Sequence, residues 1–152
     1  MNDLAAPAGI SSPLGFHSRE IDPETWRLVA AALDRRFQVL WLYGSAAKGT
    51  ERKDSDVDLG ALFQQRPSGY ELYKTAIELG DLLGRQVDLV DLDRVGPILG
   101  MQVLRYGRLL VDTSSRRRHE FFARTVVLYE DLKIQRRPAE KAMFERMSHG
   151  RP

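Results

Sequence analysis

The stretch that decides the fold is residues 41–62, WLYGSAAKGTERKDSDVDLGAL. An apolar run, Val39 to Tyr43, leads into Gly44-Ser45. After a ten-residue interval, Asp56-Val57-Asp58 opens a second apolar run, Val57 to Phe63. Both runs have the length and composition of strands. Side chains two apart in a strand share a face, so Asp56 and Asp58 are expected to project their carboxylates side by side. Two adjacent anions repel unless a cation sits between them. A hard divalent ion such as Mg2+ suits these oxygen ligands and brings nucleotide phosphates with it. Gly44 lets the backbone approach a ligand closely. Ser45 offers a hydroxyl and an N–H, and a helix beginning behind it would aim its N-terminus at an anion. Asp-x-Asp at a strand end and Gly-Ser at a turn are each common by chance. Their combination at this spacing, with Lys48, Gly49 and Ser55 in the interval, points to a site for a metal-bound polyphosphate.

Working outward, the chain has 152 residues, enough for one domain with its own core. It has no cysteine, which excludes disulfides and thiolate metal sites. No apolar run approaches the roughly 18 residues of a membrane span. The N-terminus, MNDLAAPAGISSPLGFHSRE, lacks the basic start and continuous apolar stretch of a secretory signal. These features predict a soluble, cytoplasmic protein. Net charge is +2 but uneven. Residues 1–112 hold 13 basic and 16 acidic side chains, a balance of −3; residues 113–152 hold 10 and 5, a balance of +5. The basic part could meet an acidic partner or form a solvated helix face. No zinc-finger or aromatic RNA-binding signature supports direct nucleic-acid binding.

The pattern predicts one α/β domain over 22–135, between a loose leader at 1–21 and a polar, frayed tail at 136–152. A helix is expected from Asp22-Pro23, with Trp26, Val29, Ala30, Leu33 and Phe37 inward. The first strand is Val39–Tyr43, followed by a helical turn at Ala46–Lys48 and a polar loop. The second strand, Val57–Phe63, leads through a linker at 64–69 to a helix over Tyr70–Leu83, stopped by Gly84. The third strand is Gln86–Leu92. Its Asp88 is a charge within an apolar run and wants a reason; Asp91 and Asp93 read as caps. A helix over Asp93–Tyr106, a strand at Leu109–Asp112 and a helix capped by Thr113-Ser114-Ser115 and running to about Gln135 complete the chain.

Gly44-Ser45, ten residues, and Asp56-x-Asp58, with Ser55 before and Leu59 after, resemble the DNA polymerase β-like nucleotidyltransferases. The short chain and Val87-Asp88-Leu89-Val90 look like the minimal branch, the MntA-type antitoxins. The resemblance covers about residues 25–112. It implies an α/β (α+β) core with a mixed sheet of about four strands flanked by helices. It also implies that Asp88 is the third catalytic and metal-binding carboxylate beside Asp56 and Asp58. Gly44, Ser45 and Ser55 would belong to the nucleotide site, with Lys48 in support of the triphosphate.

Nucleotidyl transfer needs the triphosphate gripped, the attacking hydroxyl deprotonated and the pyrophosphate neutralised. The resemblance implies two Mg2+ ions, with Mn2+ suited to the same oxygens. Asp56 and Asp58 would bridge them, and Asp88 would accept the proton. The resemblance further implies that ATP supplies AMP to a hydroxyl of a cognate HEPN-class ribonuclease toxin, a tyrosine, which neutralises the toxin. Arg116, Arg117 and Arg118 are candidates for the toxin contact. Two alternatives stay open at this point: an antitoxin that acts by occlusion without catalysis, and a small-molecule nucleotidyltransferase of the aminoglycoside type. The latter usually carries a sizeable second domain.

Overall fold

The computed structural model describes residues 36–48 and 55–149. The expected leader, nearly all of the expected first helix and most of the loop before Asp56 lie outside these residues. The elements follow in the order β1 (Phe37–Tyr43), α1 (Gly44–Lys48), β2 (Val57–Phe63), α2 (Gly69–Leu83), β3 (Val87–Asp91), α3 (Pro97–Tyr106), β4 (Arg108–Asp112) and α4 (Ser115–His149). The four strands form one mixed sheet in the order β3-β2-β1-β4. β1 lies antiparallel to β2 and β4, and β2 lies parallel to β3. The parallel pair requires a crossover, which α2 supplies.

Both faces of the sheet are covered, which is why β1 and β2 read as nearly unbroken apolar runs. On one face, Phe37, Leu40, Leu42, Val57, Leu59, Ala61, Phe63 and Leu89 pack with Leu79 of α2. On the other, Val39, Trp41, Tyr43, Leu62 and Leu92 pack with Val103 of α3 and Phe121 of α4. Phe37 therefore opens β1 instead of closing a preceding helix. It is 3% exposed and meets Phe63 ring to ring at 5.0 Å.

Helix α2 begins one residue earlier than its apolar spacing predicts because Ser68 and Glu71 form a capping box. Glu71 N–H donates to Ser68 Oγ (3.2 Å), and Ser68 N–H donates to Glu71 Oε2 (2.7 Å). Gly84 ends the helix in the left-handed region at φ +61°, as expected for a residue without Cβ. β3 is shorter than expected, ending at Asp91. The next helix starts at Pro97, four residues after the expected start at Asp93. Between them Asp91 closes a turn: its Oδ1 accepts from Asp93 N–H (3.0 Å) and its carbonyl from Arg94 N–H (2.9 Å). Asp91 thus caps a turn, not a helix. Pro97 takes the first helical position, where a missing N–H costs nothing.

The largest departure is α4. Ser114 caps it, accepting from Arg117 N–H at 3.4 Å, but the helix continues past Gln135 to His149, through Pro138. The segment expected to fray is helical. Ala139, Glu140, Lys141, Ala142 and Met143 are good helix formers, and Lys141 approaches Glu145 one turn on (4.0 Å). The arginine triplet at its start is engaged within the chain. Arg116 pairs with Glu120 (2.9 Å), Arg117 with Asp93 (2.5 Å) and Arg118 with Asp112 (2.6 Å). Asp93 is therefore an ion-pair partner of α4, also meeting Arg124 at 3.2 Å, and not a helix cap.

Candidate active site

The end of β1 meets the start of β2. Tyr43 is in register with Asp58 across the antiparallel pair, and Asp58 is in register with Asp88 across the parallel pair. Tyr43, Asp58 and Asp88 thus form one row over three strands. Paired residues share a face, so the row lies on the α3/α4 side of the sheet with Tyr43. Asp56 stands two residues before Asp58, just outside β2, and is exposed. The expectation that the second strand carries both aspartates holds for Asp58 only.

At Gly44 the chain turns out of β1 into α1 with φ +71°. A Cβ built there would fall inside the van der Waals shell of the Asp58 carboxylate. Only glycine combines this backbone conformation with so close an approach. Burial, then the charges of Asp88 and Asp56, raise the Asp58 pKa above its ordinary value. Burial, then Asp88 and Asp58, push the Tyr43 phenol up to about 12. A glycine bend, a crowded anionic row and a short helix leaving it are brought together at one end of the sheet.

The family described as Polymerase beta, Nucleotidyltransferase matches residues 30–116, which include every residue of this row. The chain belongs to this nucleotidyltransferase family. Protein adenylyltransferase MntA of Shewanella oneidensis is 31% identical over 102 residues, covering 66% of this chain and 72% of that protein. A toxin–antitoxin crystal structure with AMP-PNP superposes with a TM-score of 0.68 at 24% identity, over 80% of this chain and 97% of that one. A complex of tri-AMPylated Shewanella oneidensis HEPN toxin with MNT antitoxin gives 0.61 at 21% identity, over 78% and 98%. At these identities the structural matches speak for the fold.

The remaining residues expected in this nucleotidyltransferase's site fall around the same corner. Ser45 is half-buried in the first turn of α1. Lys48 is exposed at its end, with Nζ 5.3 Å from the ring centroid of Tyr106, the last residue of α3. Ser55 is half-buried, and its carbonyl accepts from Arg85 Nη2 at 2.5 Å. Three residues here escaped the sequence reading. Tyr43 had a signal: it is the last strand residue before the glycine, in phase with the aspartates once the strands pair. Arg85 and Tyr106 had none, because only the tertiary fold carries the α2–β3 junction and the end of α3 to this corner.

Among the described residues, no group of three or more carboxylate or imidazole side chains forms a ready metal cage. The donor set nonetheless fits a hard divalent ion. Its members are all carboxylates, and burial, then the charges of Asp88 and Asp56, raise the Asp58 pKa, a penalty on its charged form that a bound cation offsets. Mg2+ characteristically takes one or two carboxylates and completes its shell with substrate phosphates and water. A cleft of about 520 Å³ lined by Arg36, Phe63, Arg66, Pro67 and Lys74 lies beyond the other end of β2 and contains none of these residues.

Proposed function

We propose that this nucleotidyltransferase is an antitoxin that transfers AMP from ATP to a hydroxyl of a cognate HEPN-class toxin, a tyrosine, and so neutralises it in the cytoplasm. The observation that carries the reading is the 31% identity to a protein adenylyltransferase across two thirds of the chain. The nucleotidyltransferase family match over residues 30–116 spans Gly44-Ser45, Asp56, Asp58 and Asp88 together with the sheet that aligns them.

In the proposed reaction the acceptor oxygen attacks the α-phosphorus of ATP, the α–β phosphoanhydride bond breaks, and pyrophosphate leaves. Divalent ions, two Mg2+ or Mn2+, would polarise the α-phosphate and neutralise the leaving pyrophosphate. Asp56 and Asp58 would hold these ions, and Asp88, at the β3 edge of the row, would complete the set and take the acceptor's proton. Gly44 and Ser45 hold the β- and γ-phosphates through backbone N–H and hydroxyl contacts, with Ser55 at the mouth. Lys48, steadied over the Tyr106 ring, adds positive charge on the phosphate side. The protein contributes position and electrostatics, as phosphoryl chemistry requires.

The test is intact-mass spectrometry of the chain co-expressed with its toxin, before and after ATP and Mg2+, beside the Asp56→Ala/Asp58→Ala double variant. The toxin gains whole AMP units with the wild type alone. A toxin that is bound and silenced with no change in mass would overturn the catalytic reading in favour of occlusion. Modification of a small molecule such as an aminoglycoside, with the toxin untouched, would overturn the choice of acceptor.

A further inference from the structure

Asp56 sits outside β2, exposed, at the end of the loop that precedes the strand. A carboxylate there is not held by a strand ladder of its own, yet a bridging ligand must stand at a fixed place relative to Asp58. Two hydrogen bonds bracket it. On its C-terminal side, Val57 N–H donates to the Gln86 carbonyl (2.9 Å). On its N-terminal side, Arg85 Nη2 donates to the Ser55 carbonyl (2.5 Å). Both partners come from consecutive residues of the α2–β3 junction, and that junction is itself tied to the end of α2. Gly84 caps α2 in the left-handed region, and Arg85 N–H donates to the Gly80 carbonyl (3.1 Å). Gly80 lies so close that a Cβ on it would come within 2.9 Å of the Arg85 carbonyl oxygen.

We propose that Arg85 is the positioning residue of Asp56: by gripping the Ser55 carbonyl it sets where the Asp56 carboxylate stands beside Asp58, and so how tightly the site holds a divalent cation. The inference rests on reading this corner as a divalent-cation site. A guanidinium near a cation site weakens cation binding by charge alone. Removing it would therefore tighten binding if its charge were what mattered, and loosen binding if its grip were. The sign of the change separates the two roles.

Mn2+ binding, followed by the loss of the free-ion electron paramagnetic resonance signal, reads this without any turnover. In the wild type, binding depends on Asp58. Arg85→Ala weakens it at least fivefold, and Arg85→Lys, which keeps one donor on a long stem, recovers most of the loss. In an Asp56→Asn background, Arg85→Ala has no further effect, because the residue it positions has lost its charge. Thermal unfolding midpoints of all variants are measured alongside. Should Arg85→Ala fail to fold, Arg85→Met keeps the aliphatic stem without the donors and answers the same question. Wild-type-like or tighter Mn2+ binding in Arg85→Ala or Arg85→Met overturns the proposal, as does an equal loss in the Asp56→Asn background. Absence of Asp58-dependent Mn2+ binding in the wild type overturns the cation-site reading itself, and this proposal with it.

Discussion

At Gly44 the backbone stands at φ +71° and a methyl group would meet the Asp58 carboxylate. Gly44→Ala is therefore expected to cost on the order of 1–2 kcal/mol from the left-handed backbone alone, and to displace Asp58. Denaturant unfolding and the transfer assay should show a modest stability loss with activity lost nearly completely. Asp58 makes the opposite trade. Its pKa is raised by burial, Asp88 and Asp56, so the folded state binds its proton more tightly than the unfolded chain does. The contribution is fully present below the ordinary carboxylate pKa and is lost as pH rises through the raised value. Without metal at neutral pH, Asp58→Asn should therefore unfold at a higher temperature than the wild type while losing transfer. That advantage should shrink as the pH is lowered through the carboxylate range, as paired melts in chelator would show. Spacing and charge marked Gly44, Asp56 and Asp58 as site candidates in the sequence, while Asp88 was singled out chiefly through the family resemblance; the fold puts Asp58 and Asp88 in one row and leaves Asp56 just outside β2. Arg85 and Tyr106 were not legible, since each reaches this corner from a segment remote in sequence.

Among the elements, the strands were legible to within one or two residues because burial on both faces leaves long apolar runs. Boundaries set by polar chemistry were harder. Ser68-x-x-Glu71 is a capping box in plain view, but Pro67 and Gly69 beside it read as a linker. The start of α3 was obscured because Asp91 and Asp93 look like caps, yet Asp91 is buried in a turn beside Arg94 (3.4 Å). α4 joins two unlike parts. Its first turns dock through Phe121, 2% exposed and 5.6 Å from the Trp41 ring; Phe121→Ala should cost about 3–5 kcal/mol in denaturant unfolding. Every residue from Lys133 to His149 is exposed, so that half draws no stability from the core. Pro138 interrupts its ladder at a cost of about 3 kcal/mol relative to alanine. Pro138→Ala should raise the far-ultraviolet helical signal without moving the midpoint of the domain. A parallel shift of that midpoint would mean that the distal half unfolds with the core.

For the molecule as a whole, the order β3-β2-β1-β4 could not be read from local pattern, because period and composition say nothing about which strands pair. The family likeness implied a mixed sheet of about four strands without their order, and the order decides which residues meet. It sets β2 between β1 and β3, so the glycine bend and the third carboxylate flank Asp58 from opposite sides. The same order stores repulsion at that row in the ligand-free protein, and a ligand that relieves it binds the folded state alone. At 100 times its dissociation constant such a ligand adds about 2.7 kcal/mol, roughly 5–10 °C in a domain of this size. Mn2+ with a non-hydrolysable ATP analogue should thus raise the wild-type melting temperature by that order and Asp58→Asn by far less. Combined with the metal-free melts, the ranking of the two proteins should invert on adding ligand: the variant is more stable without it, the wild type with it. If the variant stays ahead in both conditions, Asp58 is strained for some reason other than holding a cation.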